Sequence, residues 1–274
     1  MIVAQRKNIP ELLDIVENHR KVLLLGCGTC VTVCLAGGQR EVSIIASALR
    51  MAAKLKGRPL EVEELTIERQ CDNVFLEQAA EAIKKADAVL SVGCGAGVQA
   101  IAERYSNKAV YAGLNTAFIG ILEERGVWTE KCAACGECVL HEYGGICPIT
   151  RCAKHMLNGP CSGSREDRCE VSPDRPCAWQ LIYARLKEIG QLDRLKEVKK
   201  PKNWRSSQSG GVRKMAALRA VRAMHPVSGG RLAAIAGAEP QGVRTEFPQH
   251  LGENATSRVR AVSRRMVRIV PLEQ

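Results

Sequence analysis

Thirteen cysteines dominate the chemistry open to this 274-residue chain, and all of them lie between Cys27 and Cys177. The densest run is Cys132-x2-Cys135-x2-Cys138 followed by Cys147-Pro148, a spacing close to that of bacterial ferredoxins. Two-residue gaps let three thiolates cap one face of a cubane, while the later cysteine closes the fourth iron. Gly136, Gly144 and Gly145 permit the tight turns such a loop needs. Cys152, Cys161, Cys169 and Cys177 follow, so eight thiolates suit two four-coordinate sites. Structural zinc also uses paired CxxC spacings, and a zinc-stabilised assembly module without a redox role is the alternative. His141 and His155 sit among these cysteines and read as solvated loop positions rather than ligands.

A second set is more dispersed: Cys27-x2-Cys30-x3-Cys34, then Cys71 and Cys94. Cysteine also serves as a small buried hydrophobe, and Cys34 fits that description. Five candidates for the four positions of a cubane leave one spare. The loops GCGTC and GCGAG resemble phosphate-binding turns, yet neither completes GxGxxG, and close approach to a cluster equally requires glycine. No Ser-His-Asp array, HExxH or paired catalytic carboxylate is visible, so the expected chemistry is electron handling rather than hydrolysis.

The opening residues MIVAQRKNIPELLD carry no apolar leader, which predicts a cytoplasmic protein with reduced thiols. The odd cysteine count excludes complete pairing as disulfides. No apolar run reaches the roughly 20 residues that span a bilayer, so no membrane insertion is expected. The net charge of +11 belongs to the end of the chain: from Pro201 onward there are 13 Lys/Arg against 4 Asp/Glu. The cysteine-bearing part is nearly neutral, and the basic tail lacks interleaved aromatics, which disfavours nucleic acid as a partner.

The elements that must position these thiols alternate. Lys21–Leu25, Leu60–Ile67, Asp87–Val92 and Lys108–Ala112 read as short strands, and Glu41–Lys56, Asn73–Lys85 and Val98–Tyr105 as helices. That order predicts an α/β fold with a small doubly wound parallel sheet in residues 1–129. Ligands of such sheets bind beyond the carboxyl ends of the strands. Cys27, Cys71 and Cys94 all fall at such ends, so the topology is expected to gather them at one edge. Residues 130–197 form the expected cysteine-rich metal-binding module, poor in apolar periodicity and closed by an amphipathic helix over Cys177–Ile189. Residues 198–274 read as a basic, disordered tail, with one helix conceivable over Gly211–Met224, and dispensable for metal binding.

The run CGECVLHEYGGICPITRCAKHMLNGPCSG, then CEV, then PCAWQLIYARLKEIGQLDRL resembles the MetV-type family, also called the methylenetetrahydrofolate reductase C-terminal domain. GCGTCVTVC, ERQCD and GCGAGVQ resemble its N-terminal half, so the likeness covers roughly residues 1–197. It implies an iron–sulfur electron-transfer subunit, not catalytic alone, of a methylenetetrahydrofolate reductase complex. The implied partner is a MetF-like flavoprotein carrying FMN or FAD, with room for further redox subunits. The resemblance implies one to three [4Fe–4S] clusters, or zinc at one site. Its implied ligands are Cys132, Cys135, Cys138, Cys147, Cys152, Cys161, Cys169 and Cys177, with Cys27, Cys30, Cys34, Cys71 and Cys94 in the N-terminal half.

Overall fold

The chain begins with a strand, β1 (Ile2–Arg6), and a short helix, α1 (Ile9–Ile15). Asn8 caps α1 by accepting the Glu11 N–H at 2.8 Å, and Pro10 occupies the first turn, where its missing N–H is harmless. A computed structural model describes residues 1–207 and 211–215. Residues 1–213 make one compact unit. Most of the tail, and the helix conceived over Gly211–Met224 beyond Met215, lie outside the described residues.

The alternating pattern builds β2 (Lys21–Cys27), α2 (Cys30–Val33), α3 (Gln39–Leu55), β3 (Glu61–Ile67), α4 (Asn73–Leu76), α5 (Ala80–Lys85), β4 (Ala88–Ser91), α6 (Gly95–Arg104) and β5 (Ala109–Ala112). The four strands β2 to β5 form one parallel sheet in the order β3-β2-β4-β5, with Leu24 opposite Glu64 on one side and Leu90 on the other. Side chains alternate across β2. Val22 and Leu24 pack with Val42, Ile45 and Leu49 of α3 and with α1, whereas Leu23 and Leu25 pack with Leu76, Ile83 and Ile101. Helices therefore cover both faces, which is why β2 is apolar and buried from Val22 onward. Each fully buried Leu or Ile contributes about 1.5–3 kcal/mol of transfer free energy.

Two differences from the periodicity have physical causes. The helix expected over Asn73–Lys85 is broken by a 3-10 turn at Glu77–Ala79, so α4 and α5 are separate short pieces. A three-stranded antiparallel sheet, order β1-β6-β7, joins the parallel one, with β6 (Leu114–Glu124) and β7 (Val127–Cys132) linked by a turn at Arg125-Gly126. Exposed, mixed-polarity strands such as these carry little apolar signal, and β1 pairs with β6 across more than a hundred residues. The expected division between residues 129 and 130 falls inside β7.

Beyond Cys132 come a 3-10 turn (Leu140–Glu142), α7 (Pro148–Arg151), α8 (Ala178–Glu188) and two further 3-10 turns, Leu192–Lys196 and Trp204–Ser206. Gly190, at φ +67°, ends the α8 region as the sequence predicts. This segment has a core of its own. Tyr143, Cys152, Cys177, Trp179, Ile182 and Leu186 are buried together, with the Tyr143 and Trp179 rings edge-on at 5.6 Å. The Tyr143 hydroxyl donates to Leu157 O at 2.8 Å and the Trp179 indole N–H to Met156 O at 3.1 Å. The segment thus buries more than its sparse apolar pattern promised, because α8 supplies the missing face. Among the described residues, no helix is long and apolar enough to cross a membrane.

Candidate functional site

In the parallel sheet the chain leaves β2 for β3 on one side and later returns to β4 on the other. The crevice for a ligand therefore opens between the carboxyl ends of β2 and β4. Cys27 is the last residue of β2, Cys30 opens α2, Cys71 follows β3, and Cys94 directly precedes α6. Partial burial pushes the Cys71 thiol up, and the neighbouring thiols of Cys94 and then Cys27 push it further. Cys71 thus lies near the Cys94 and Cys27 thiols. Cys34 is turned elsewhere: it is buried and its thiol donates to Ile2 O of β1 at 3.3 Å. Burial is the main cause that raises its pKa.

Gln70 holds this corner together, and nothing in the sequence reading singled it out. It is 1% exposed. Its Nε2 donates to Leu25 O of β2 at 2.8 Å, and its Oε1 accepts from Ser91 Oγ of β4 at 2.6 Å. Ser91 Oγ in turn accepts the Gly93 N–H at 3.1 Å. A Cβ on Gly93 would come 2.2 Å from Gln70 Oε1, so glycine is required beside Cys94 by this contact. The signal that could have found Gln70 is a polar residue directly before a strand-end cysteine in ERQCD.

The second set lies along β7 and the segment beyond it. Cys132 ends β7, and its Sγ accepts the Ala134 N–H at 3.4 Å. Cys147 caps α7, with Sγ accepting the Thr150 N–H at 3.5 Å and Pro148 in the first turn. β7 and α7 pack against each other, so Cys132 and Cys147 come from neighbouring elements. Cys135 is half-buried and its thiol faces Glu137 O at 3.6 Å; Cys138 is exposed. Cys152 and Cys177 are buried in the module's own core. The loop leading to α8 brings the others near: Cys177 N donates to Asp167 O at 2.7 Å, and Cys169 N donates to Arg175 O at 3.0 Å. The Cys161 thiol faces Glu170 Oε1 at 3.6 Å, and Glu170 also pairs with Lys154. An N–H from Gly163 and the Lys154 ammonium hold the Cys161 pKa below the ordinary thiol value, against a smaller opposing effect of desolvation.

All thirteen cysteines are free thiols. Among the described residues no three His, Cys, Asp or Glu side chains are gathered into a group that could hold a metal ion. The donor set nevertheless suits an iron–sulfur group in its chemistry. Thiolates are its ligands, and amide N–H groups already point at the sulfurs of Cys132 and Cys147. The histidines do not join them. The side chain of His141 is 74% exposed, and His155 is bonded to Ile149 O at 2.6 Å.

Residues 111–205 match the family model described as "Methylene-tetrahydrofolate reductase C terminal", consistent with a MetV-type family. The match begins in β5, includes β6, β7, α7 and α8 with all eight cysteines from Cys132 to Cys177, and ends at Arg205. No curated protein and no solved structure matches the chain.

Proposed function

We propose that this chain is an iron–sulfur electron-transfer subunit of a methylenetetrahydrofolate reductase, serving a flavin on a MetF-like partner in the cytoplasm. The observation that carries the reading is the family match across the segment that holds eight free thiols, two of them already accepting amide N–H bonds. A [4Fe–4S] cluster, when bound, supplies one-electron transfer. Cys132, Cys135, Cys138 and Cys147 would hold one such group, since β7 packs on α7 and the first three share one loop. Cys152, Cys161, Cys169 and Cys177 would hold a second: Cys152 and Cys177 share the module's core, and Cys161 faces Glu170, the neighbour of Cys169. Cys27, Cys30, Cys71 and Cys94 would hold a third at the sheet's switch point, with Cys34 the spare. Backbone amides at Ala134 and Thr150 stabilise negative charge on the sulfurs, which eases reduction. Gln70 fixes the distance between the β2, β3 and β4 ends, and so the spacing of the thiols they carry.

Anaerobic purification with iron, sulfide and zinc analysis tests the reading. Brown protein with iron and acid-labile sulfide in equal amounts is the expected result. Colourless protein with zinc and no sulfide would overturn it in favour of a structural module.

A further inference from the structure

The segment just beyond the Leu192–Lys196 turn does not leave the cysteine module; it folds back over the Cys132–Cys138 loop. Lys202 donates to Glu137 O and its ammonium lies 3.5 Å from Glu137 Oε2, with a side chain only 2% exposed. Asn203 N donates to the same carboxylate at 3.1 Å. Ser206 Oγ shares its proton between Cys135 O at 3.3 Å and Asn203 O at 3.2 Å, and Arg213 Nη1 donates to Ala134 O at 2.9 Å and to Ser206 O at 2.7 Å. Contact between the two stretches is close. A Cβ on Gly136, whose φ is +88°, would come 2.1 Å from Ser206 O. Asn158 anchors the start of the segment, accepting Lys199 N at 2.7 Å and donating to Lys199 O at 3.2 Å.

Three loop carbonyls, those of Ala134, Cys135 and Glu137, are therefore drawn toward one set of donors. In a planar trans peptide the C=O of one residue and the N–H of the next point in opposite directions. The N–H groups of Cys135, Gly136 and Cys138 are thereby turned away from the segment that holds the carbonyls. On the sulfur side the Ala134 N–H already faces Cys132 Sγ, while the Glu137 carbonyl also accepts from the Cys135 thiol at 3.6 Å. Lys202 answers the Glu137 carboxylate, whereas the Arg213 guanidinium bonds neutral carbonyls and adds positive charge beside the loop. Amide dipoles and cations near an iron–sulfur centre both favour its reduced form.

We propose that Lys202, Ser206 and Arg213 are positioning residues of the Cys132–Cys138 loop, orienting its amides and raising the reduction potential of the iron–sulfur group held there. The proposal rests on the iron–sulfur reading above. Its test is an EPR-monitored redox titration, with iron and sulfide analysis, of the full chain carrying R213M, S206A or, as control, K196M on the exposed Leu192–Lys196 turn. R213M is expected to keep its iron and to shift one centre to more negative potential, leaving the others in place. S206A should shift the same centre in the same direction by less, and it decides the matter if R213M fails to load or fold. Potentials in S206A and R213M indistinguishable from K196M would overturn the clamp while leaving the iron–sulfur reading intact. Absence of iron and sulfide from the unaltered chain would instead sink that reading.

Discussion

Thiols of one residue type are set apart here by their immediate neighbours. Cys161 receives an N–H from Gly163 and sits beside Lys154, so its pKa lies below the ordinary value. Partial burial and then the Cys94 and Cys27 thiols place Cys71 above it. A lowered pKa means more thiolate at a given pH, and thiolate is the form that reacts. In metal-free chain near pH 7.5, below the usual thiol pKa of about 8.5, iodoacetamide should label Cys161 well before Cys71. The gap should close as pH rises past both values, because both are then thiolate. Peptide mass spectrometry over a time course reads the order. Cys71 labelled first would mean that the Gly163 and Lys154 contacts are not kept in solution. Cysteine spacing is what sequence displays, so the thiols themselves were legible. Gln70 was not, since its role depends on reaching Leu25 and Ser91 on two other strands.

At the scale of elements, α3 shows how pattern becomes stability. Glu41 caps it, with Oε2 accepting the Gly38 N–H at 3.0 Å, and Val42, Ile45, Ala46 and Leu49 form one buried stripe over β2. Leu49→Ala should cost about 2–5 kcal/mol, read as a lower urea midpoint for the unit of residues 1–213. Unchanged stability would mean that the stripe does not pack as described. Long periodic elements of this kind were readable in advance, as was the parallel order implied by their alternation. The antiparallel sheet was not: β6 keeps only Leu114 and Gly120 buried, so it shows no alternation to detect. The same blindness affected the segment after Pro201, which reads as a basic tail because its contacts are hydrogen bonds to a distant loop. Truncation after Lys200 should therefore lower the iron content of the chain by roughly one cluster in two or three, whereas truncation after Met215 should not. Equal iron in the two forms would restore the tail to dispensability.

For the whole molecule the decisive prediction is that the chain alone leaves methylenetetrahydrofolate unreduced. Among the described residues the parallel sheet has four strands, half of what a (β/α)8 barrel requires, and the other three strands form an antiparallel sheet. At the carboxyl ends of β2 and β4, where such a sheet binds a dinucleotide, stand Cys27 and Cys94, with Gln70 filling the space behind Gly93. Direct hydride delivery from a nicotinamide bound there would need the GxGxxG turn, which neither glycine-rich loop completes. What the chain does offer is thiols at the sheet edge and eight more along the adjoining module, all within one compact unit. Under the proposed reading, iron–sulfur groups held by those thiols would relay single electrons, and a flavin would accept them because it handles both one and two electrons. Reconstitution with a MetF-like flavoprotein and reduced viologen should give methyltetrahydrofolate formation that needs both proteins. Replacing Cys147 with Ser in this chain should lower that rate while flavin content of the partner stays constant. Full-rate reduction by the isolated chain, or by the flavoprotein with viologen and no added chain, would remove the relay from the mechanism.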